Sequence, residues 1–157
     1  MNDIYNYLYY HEKLSSGGMP TPGQLTAAAN AGVQVIINLA TDNSEGAIPN
    51  EGGIVTGLGM RYIHIPVDWN NPTRQDLDRF MEAMEKHAQE KVLVHCQANY
   101  RASGFIALYR ILRLGWKPKD ALADMHKIWN EAKYPVWQAF ITESAGRGWS
   151  GQSVASP

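Results

Sequence analysis

The chain predicts an α/β fold: a mainly parallel, four- to five-stranded sheet with helices on both faces. Three observations carry this. Runs of strand length at residues 33–39 and 91–95 are mostly apolar instead of strictly alternating, as strands buried on both faces are. Stretches with apolar residues at three- and four-residue spacing lie between them, the order expected of β-α units. The 157 residues are 45% hydrophobic and include five Trp, eight Tyr and three Phe, enough to close one core. One domain is expected over residues 1–143, followed by a Ser/Gly-rich tail at 144–157 that reads as mobile.

In chain order, Thr21-Pro22-Gly23-Gln24 has the form of a capping box with proline at the first helical position, so a helix should run to about Asn30 and stop at Gly32. Val33, Val35, Ile36, Ile37 and Leu39 then form a buried strand. A polar loop spans Ala40 to Pro49, and a weaker helical stretch covers Ile54 to Leu58. A second strand is expected from Arg61 to Val67. Thr73-Arg74-Gln75-Asp76 starts the clearest amphipathic helix, with Leu77, Phe80, Met81 and Met84 on its apolar face. Lys91 to His95 is a short strand running directly into Cys96, and Phe105, Ile106, Leu108, Ile111 and Leu112 continue as a helix from about Ser103. Ala121, Leu122, Met125, Ile128 and Trp129 give a further apolar stripe, and a short helix is expected near Val136 to Ile141.

Composition excludes several function classes. Fourteen basic residues stand against fifteen acidic ones, and no Lys/Arg run exceeds two, so no nucleic-acid or polybasic membrane contact is expected. No apolar stretch approaches bilayer length, and Met1 to Tyr10 is polar and aromatic, so the default expectation is cytoplasmic, an export signal removed from a precursor aside. One cysteine excludes an intrachain disulfide and a multi-cysteine zinc site. His11, His64, His87 and His126 have no ligand-spaced partners, so neither metal nor cofactor is expected. Met81, Met84 and Met125 read as core.

The chemistry concentrates in His95-Cys96-Gln97-Ala98-Asn99-Tyr100-Arg101-Ala102-Ser103. A strand-to-helix turn can direct several backbone N–H groups at one point, and the helix dipole adds positive potential there. Such a site binds an anion and favours the thiolate of a cysteine within it, giving a nucleophile that needs no separate base. Arg101 adds a planar fork suited to phosphoryl oxygens. Ser103 is placed to donate to the sulfur when it leaves, and His95 reads either as loop support or as an ordinary half-buried histidine.

Val92-Leu93-Val94-His95-Cys96 followed by an arginine and Ser103 resembles the signature of cysteine-dependent protein phosphatases, especially their dual-specificity branch. Tyr62-Ile63-His64-Ile65-Pro66-Val67-Asp68 resembles the strand and loop that carry that family's general acid. The resemblance spans roughly residues 18–115. It implies a protein-tyrosine-phosphatase-like fold and hydrolysis of a phosphorylated protein or small phosphoester through a cysteinyl phosphate. It also implies Cys96 as nucleophile, loop residues 97–102 around the phosphate, and Asp68 as acid and base, with Asp76 and Asp42 as the other carboxylates considered.

The signature has five residues between cysteine and arginine, whereas this chain has four, with Ala102 in the usual arginine slot. The loop also lacks glycine, leaving Asn99 as the residue that best tolerates positive φ. Four residues is the spacing of many rhodanese-type sulfurtransferases, which makes a Cys96 persulfide one alternative, although those loops usually carry an arginine straight after the cysteine and a central glycine. A module that binds a phosphorylated ligand without turnover is the other alternative. A bacterial group of phosphatase-like domains shares the shorter spacing, and the chain resembles that group most. Trp69 reads equally as pocket wall or core, and Asp42 and Glu45 lie in a loop expected near the site.

Overall fold

A computed structural model describes the backbone of residues 1–153 and the side chains of residues 1–146. Five strands form one sheet: β1 (Leu8–His11), β2 (Leu14–Gly17), β3 (Val35–Asn38), β4 (Arg61–His64) and β5 (Val92–His95), in the order β1-β2-β5-β3-β4. Only β1, which pairs with β2, runs antiparallel; β2, β5, β3 and β4 are parallel neighbours. The register aligns Gly17, His95, Asn38 and His64 in one row, so the four parallel strands end together and their following loops share one edge.

The two central strands are apolar on both faces because both faces are covered. Val35, Ile37, Val92 and Val94 face the larger core, formed with α3 (Arg74–Lys86), α4 (Tyr100–Leu112), α5 (Pro118–Met125) and α6 (Pro135–Ser153). Ile36 and Leu93 face a smaller one, built with α1 (Pro22–Asn30) and α2 (Glu51–Gly57). The mainly parallel sheet with helices on both faces is therefore the fold observed. Thr21 caps α1 through the complete capping box, its side chain accepting from Gln24 N and Gln24 returning a bond to Thr21 N. Thr73 caps α3 in the same way by accepting from Asp76 N.

Several elements differ from expectation. The β1–β2 hairpin has no distinctive sequence signal: its turn at Glu12-Lys13 contains no glycine or asparagine, and β2 buries Ser15 and Ser16. α4 starts at Tyr100, three residues earlier than the apolar spacing suggests, because Asn99 turns the chain into it at φ 68°. α6 is a long helix, and the tail expected from Ser144 starts within it; Ser144 and Ala145 are buried, and residues 154–157 lie outside the described residues.

Tyr10, in β1, is half-buried beneath Arg110, with its hydroxyl bonded to Ser16 Oγ at 3.0 Å and the guanidinium 4.7 Å from its ring centroid. Desolvation pushes this phenol far above its ordinary range, against the opposing bond from Ser16 and the charge of Arg110. Because the folded value is the higher one, the unfolded chain ionises first. Stability from this group is thus full below about pH 10 and declines as pH rises above it. Urea midpoints measured from pH 8 to pH 11.5 should fall at the alkaline end, and Tyr10→Phe should fall less steeply.

Candidate active site

The site forms where β5 ends. Cys96 follows the strand directly and donates its N–H to Gly17 O at 3.3 Å, while His95 O accepts from Leu39 N at 2.8 Å. The end of the central strand is thus tied to both neighbours. The loop then runs to Arg101 in the first turn of α4, and Gln97 O accepts from Met19 N at 2.9 Å. Among the described residues the N–H groups of Gln97 and Ala98 find no backbone acceptor, and those of Tyr100 and Arg101 lie in the first helical turn, where none exists within the helix.

Beside this loop is a cavity of about 320 Å³ lined by Trp69, Cys96, Gln97, Ala98, Tyr100, Arg101 and Tyr134. Its lining thus combines the cysteine loop and Arg101 with an aromatic wall of Trp69, Tyr100 and Tyr134. Cys96 is buried at 1% exposure and Arg101 at 5%. Arg101 donates from Nη1 to Val67 O at 2.8 Å, and among the described residues no carboxylate pairs with it. A buried guanidinium at a helix N-terminus, with the dipole against it and no counterion among the described residues, is electrostatically unfavourable, and an anion would relieve that cost.

The aromatic wall belongs also to the core. Trp69 stacks on Trp137 with centroids 5.3 Å apart and meets Tyr134 edge-on, also at 5.3 Å, and its carbonyl accepts from Trp137 Nε1 at 2.7 Å. Tyr100 stacks on Trp129 at 4.8 Å with planes 4° apart. Trp69 is therefore both pocket wall and core. Desolvation, with the neighbouring Tyr134, raises the Tyr100 phenol above its usual range.

Behind the loop, on the opposite side from the cavity, His95 is fully buried. Its Nε2 lies 2.6 Å from Glu51 Oε2 and its Nδ1 lies 3.3 Å from Cys96 O. Glu51, at the start of α2 and 5% exposed, also accepts from Asn38 Nδ2 at 3.4 Å, and Asn38 donates to Tyr62 OH at 3.0 Å. Glu51 and Asn38 escape a reading of the sequence. The pairing partner of Glu51 is 44 positions away, and Asn50 begins its helix in a left-handed conformation without a side-chain cap. The loop expected near the site does reach it, since Glu45 N donates to Gln97 Oε1 at 3.2 Å.

The other candidate residues are placed as follows. Ser103 lies in the second turn of α4, and its hydroxyl donates to Tyr100 O at 3.3 Å and accepts from Trp129 Nε1 at 3.0 Å, so it bonds to the loop's own backbone and to the indole stacked on Tyr100. Ala102 is fully buried in the core cluster and does not line the cavity. Asp68 is exposed and accepts from Asn70 N at 2.9 Å, between Val67, which holds Arg101, and Trp69, which lines the cavity. Asp76 sits in the first turn of α3 and Asp42 is exposed in the loop after β3; none of Asp42, Asp68 and Asp76 lines the cavity, and Asp68 alone is adjacent in the chain to a residue that does, Trp69. His64 donates from Nε2 to Ala40 O at 2.7 Å. Among the described residues no cluster of His, Cys, Asp and Glu suits a metal, and no helix is long and apolar enough to cross a membrane.

Residues 9–142 match the family described as DSP-PTPase phosphatase fused to NAD+ kinase. The chain belongs to this family. It is a member of the cysteine-dependent phosphatase superfamily, with that superfamily's α/β fold. Of solved structures, one of a DUF442 protein from Shewanella putrefaciens CN-32, assigned provisionally as a phosphatase, is 44% identical with a TM-score of 0.85, the match covering 93% of this chain and 95% of that one. TpbA from P. aeruginosa, a cysteine-to-serine variant in complex with pTyr, shares the fold at 16% identity and TM-score 0.72, covering 92% of this chain and 89% of that one. PTPMT1 in complex with PI(5)P does so at 19% identity and TM-score 0.69, covering 90% and 97%. No curated protein matches.

Removing one partner of a buried hydrogen bond leaves the other's polar atom desolvated and unpaired, a loss of about 1–3 kcal/mol. Glu51→Ala should therefore lower stability in urea unfolding by about that amount, and Glu51→Gln, which keeps a hydrogen-bonding oxygen, should lose less.

Proposed function

We propose that the protein hydrolyses phosphomonoesters through a phosphocysteine on Cys96. The observation that carries the reading is that one cavity is lined by Cys96, the loop residues Gln97, Ala98 and Tyr100, and an Arg101 that has no carboxylate partner among the described residues. The thiolate attacks phosphorus while Arg101 and the amides of Gln97, Ala98 and Tyr100 receive the equatorial oxygens, and charge that grows on those oxygens in the transition state is met by donors already in place. As the P–O ester bond breaks, Asp68 supplies the proton to the leaving oxygen. Water then attacks the phosphocysteine, giving its proton to Asp68, and the products are inorganic phosphate and the restored thiolate.

Asp68 takes this role because its backbone neighbours hold Arg101 on one side and line the cavity on the other. Ser103 acts through Tyr100 and Trp129, keeping the loop and wall in register. His95 and Glu51 support the loop from behind. The aromatic wall of Trp69 and Tyr134 suits a leaving group with a flat or apolar face, in keeping with structural neighbours bound to pTyr and to PI(5)P. The substrate is accordingly a phosphorylated protein side chain or a small phosphoester of that shape.

Hydrolysis of an aryl phosphate, inhibited by orthovanadate, should disappear in Cys96→Ser; full activity in that variant would refute the mechanism. Asp68→Asn should lower kcat by about 10²–10³-fold, more for alkyl than for nitrophenyl leaving groups. Arg101→Lys, which keeps the charge and loses the planar fork, should lower kcat/KM by about 10²-fold or more.

A further inference from the structure

The Cys96 loop is clasped by a segment far away in sequence. Asn6 Nδ2 donates to Ala98 O at 3.0 Å, and Asn99 Nδ2 donates to Asn6 O at 2.7 Å. Both asparagines have left-handed backbones, φ 51° at Asn6 and 68° at Asn99. The chain on either side is drawn into the same arrangement, with Gly18 N donating to Tyr5 O at 2.7 Å and Met19 N to Gln97 O at 2.9 Å. A Cβ on Gly18 would lie 2.7 Å from Gln97 O and 2.9 Å from Tyr5 Cδ2, so the close approach of the three segments needs glycine there. The N-terminal turn, the end of β2 and the cysteine loop are one hydrogen-bonded unit.

This unit is not arranged for stability alone. Left-handed backbone is disfavoured for every residue with a Cβ, and two such residues face each other here. Asn99 begins α4 without a side-chain cap bond, and its Oδ1 is buried without a partner among the described residues. Unfavourable features concentrated at one loop point to a constraint on that loop's shape.

The constraint follows from peptide geometry. In a planar trans peptide the carbonyl and the N–H point in opposite directions. Binding of Gln97 O by Met19 therefore turns the Ala98 N–H the other way, and Ala98 lines the cavity. The next carbonyl, that of Ala98, is the one Asn6 holds. If it swung toward the sulfur, its negative end would repel both a thiolate and phosphoryl oxygens. With four residues between Cys96 and Arg101 and no glycine among them, the loop has little internal means of fixing this orientation.

We propose that Asn6 is a positioning residue of the Cys96 loop: with Asn99 it forms a reciprocal clasp that keeps the Ala98 carbonyl out of the anion site and fixes the curvature of the shortened loop. The proposal rests on the reading of that loop as an anion site. Its test is the rate of Cys96 alkylation by iodoacetate against pH, with and without orthovanadate, which is unambiguous in a chain with one cysteine. Asn6→Gly removes the amide and keeps a backbone free to adopt positive φ. It should raise the apparent thiol pKa by about one unit and weaken orthovanadate protection about tenfold. Asn6→Asp, which cannot donate to Ala98 O and adds a negative charge beside the loop, should do at least as much and decides the matter if Asn6→Gly does not fold. Val33→Ala, a core truncation just before β3, at the end of the strands away from the cysteine loop, should change stability and neither loop property. Wild-type titration in both Asn6 variants, or an equal shift in Val33→Ala, overturns the proposal. Absence of protection in the wild type would instead refute the anion-site reading, leaving the clasp to be judged by the thiol titration alone.

Discussion

The position of β5 between β2 and β3 is the constraint from which the site follows. Because both neighbours are parallel to it and end in the same row, the peptide after His95 emerges between two further strand ends, and Cys96 is bonded to one of them. Ligands of open parallel sheets bind beyond the carboxyl ends of the strands. Here that edge gathers Gly17, Asn38, His64 and His95, and the loops after them bring Met19, Glu45, Val67 and Trp69 to the cysteine loop or its cavity. An antiparallel sheet of the same composition would divide those loops between its two ends.

Charge is distributed around the loop unequally. Behind it, His95 is matched by Glu51, and Glu51 by Asn38, so that buried polar atoms are satisfied at short range. In front of it, Arg101 has a backbone carbonyl and, among the described residues, no carboxylate. Burying a cation without a counter-charge is expensive, and the neighbouring helix terminus adds to the cost. An anion would offset both costs. The two sides thus differ: the rear is tied by paired side chains, and the front carries a cation without a counter-charge among the described residues. The aromatic wall, continuous with the core through Trp69 and Trp137, gives the cavity a rigid side that an exposed loop alone would lack.

Much of this was legible in the sequence. The apolar runs at 33–39 and 91–95 could bury both faces only in a covered parallel sheet, and the structure has one. The strand leading directly into Cys96, with Arg101 following, marked this loop as the candidate site because strand-to-helix turns expose amides by local geometry, and the loop lines a cavity. What stayed hidden depends on distant pairings. Nothing near Glu51 in sequence marks it as the partner of His95, and nothing in Asn6 marks it as the partner of Asn99; the fold brings each pair together over 44 and 93 positions. The β1–β2 hairpin was hidden for another reason. Its buried positions include two serines, and its length of four residues per strand leaves no measurable period. Trp69 could not be assigned to wall or core from sequence because the structure uses it as both.

The central claim is that Cys96 carries the phosphoryl group between substrate and water. Rapid acid quench of the Asp68→Asn variant with a phosphorus-labelled aryl phosphate tests it directly, since slow breakdown of the intermediate lets it accumulate. Label recovered on the peptide containing Cys96, in an amount approaching one per chain, is the result predicted. Continued turnover with no covalent label, or label on any other residue, would contradict it.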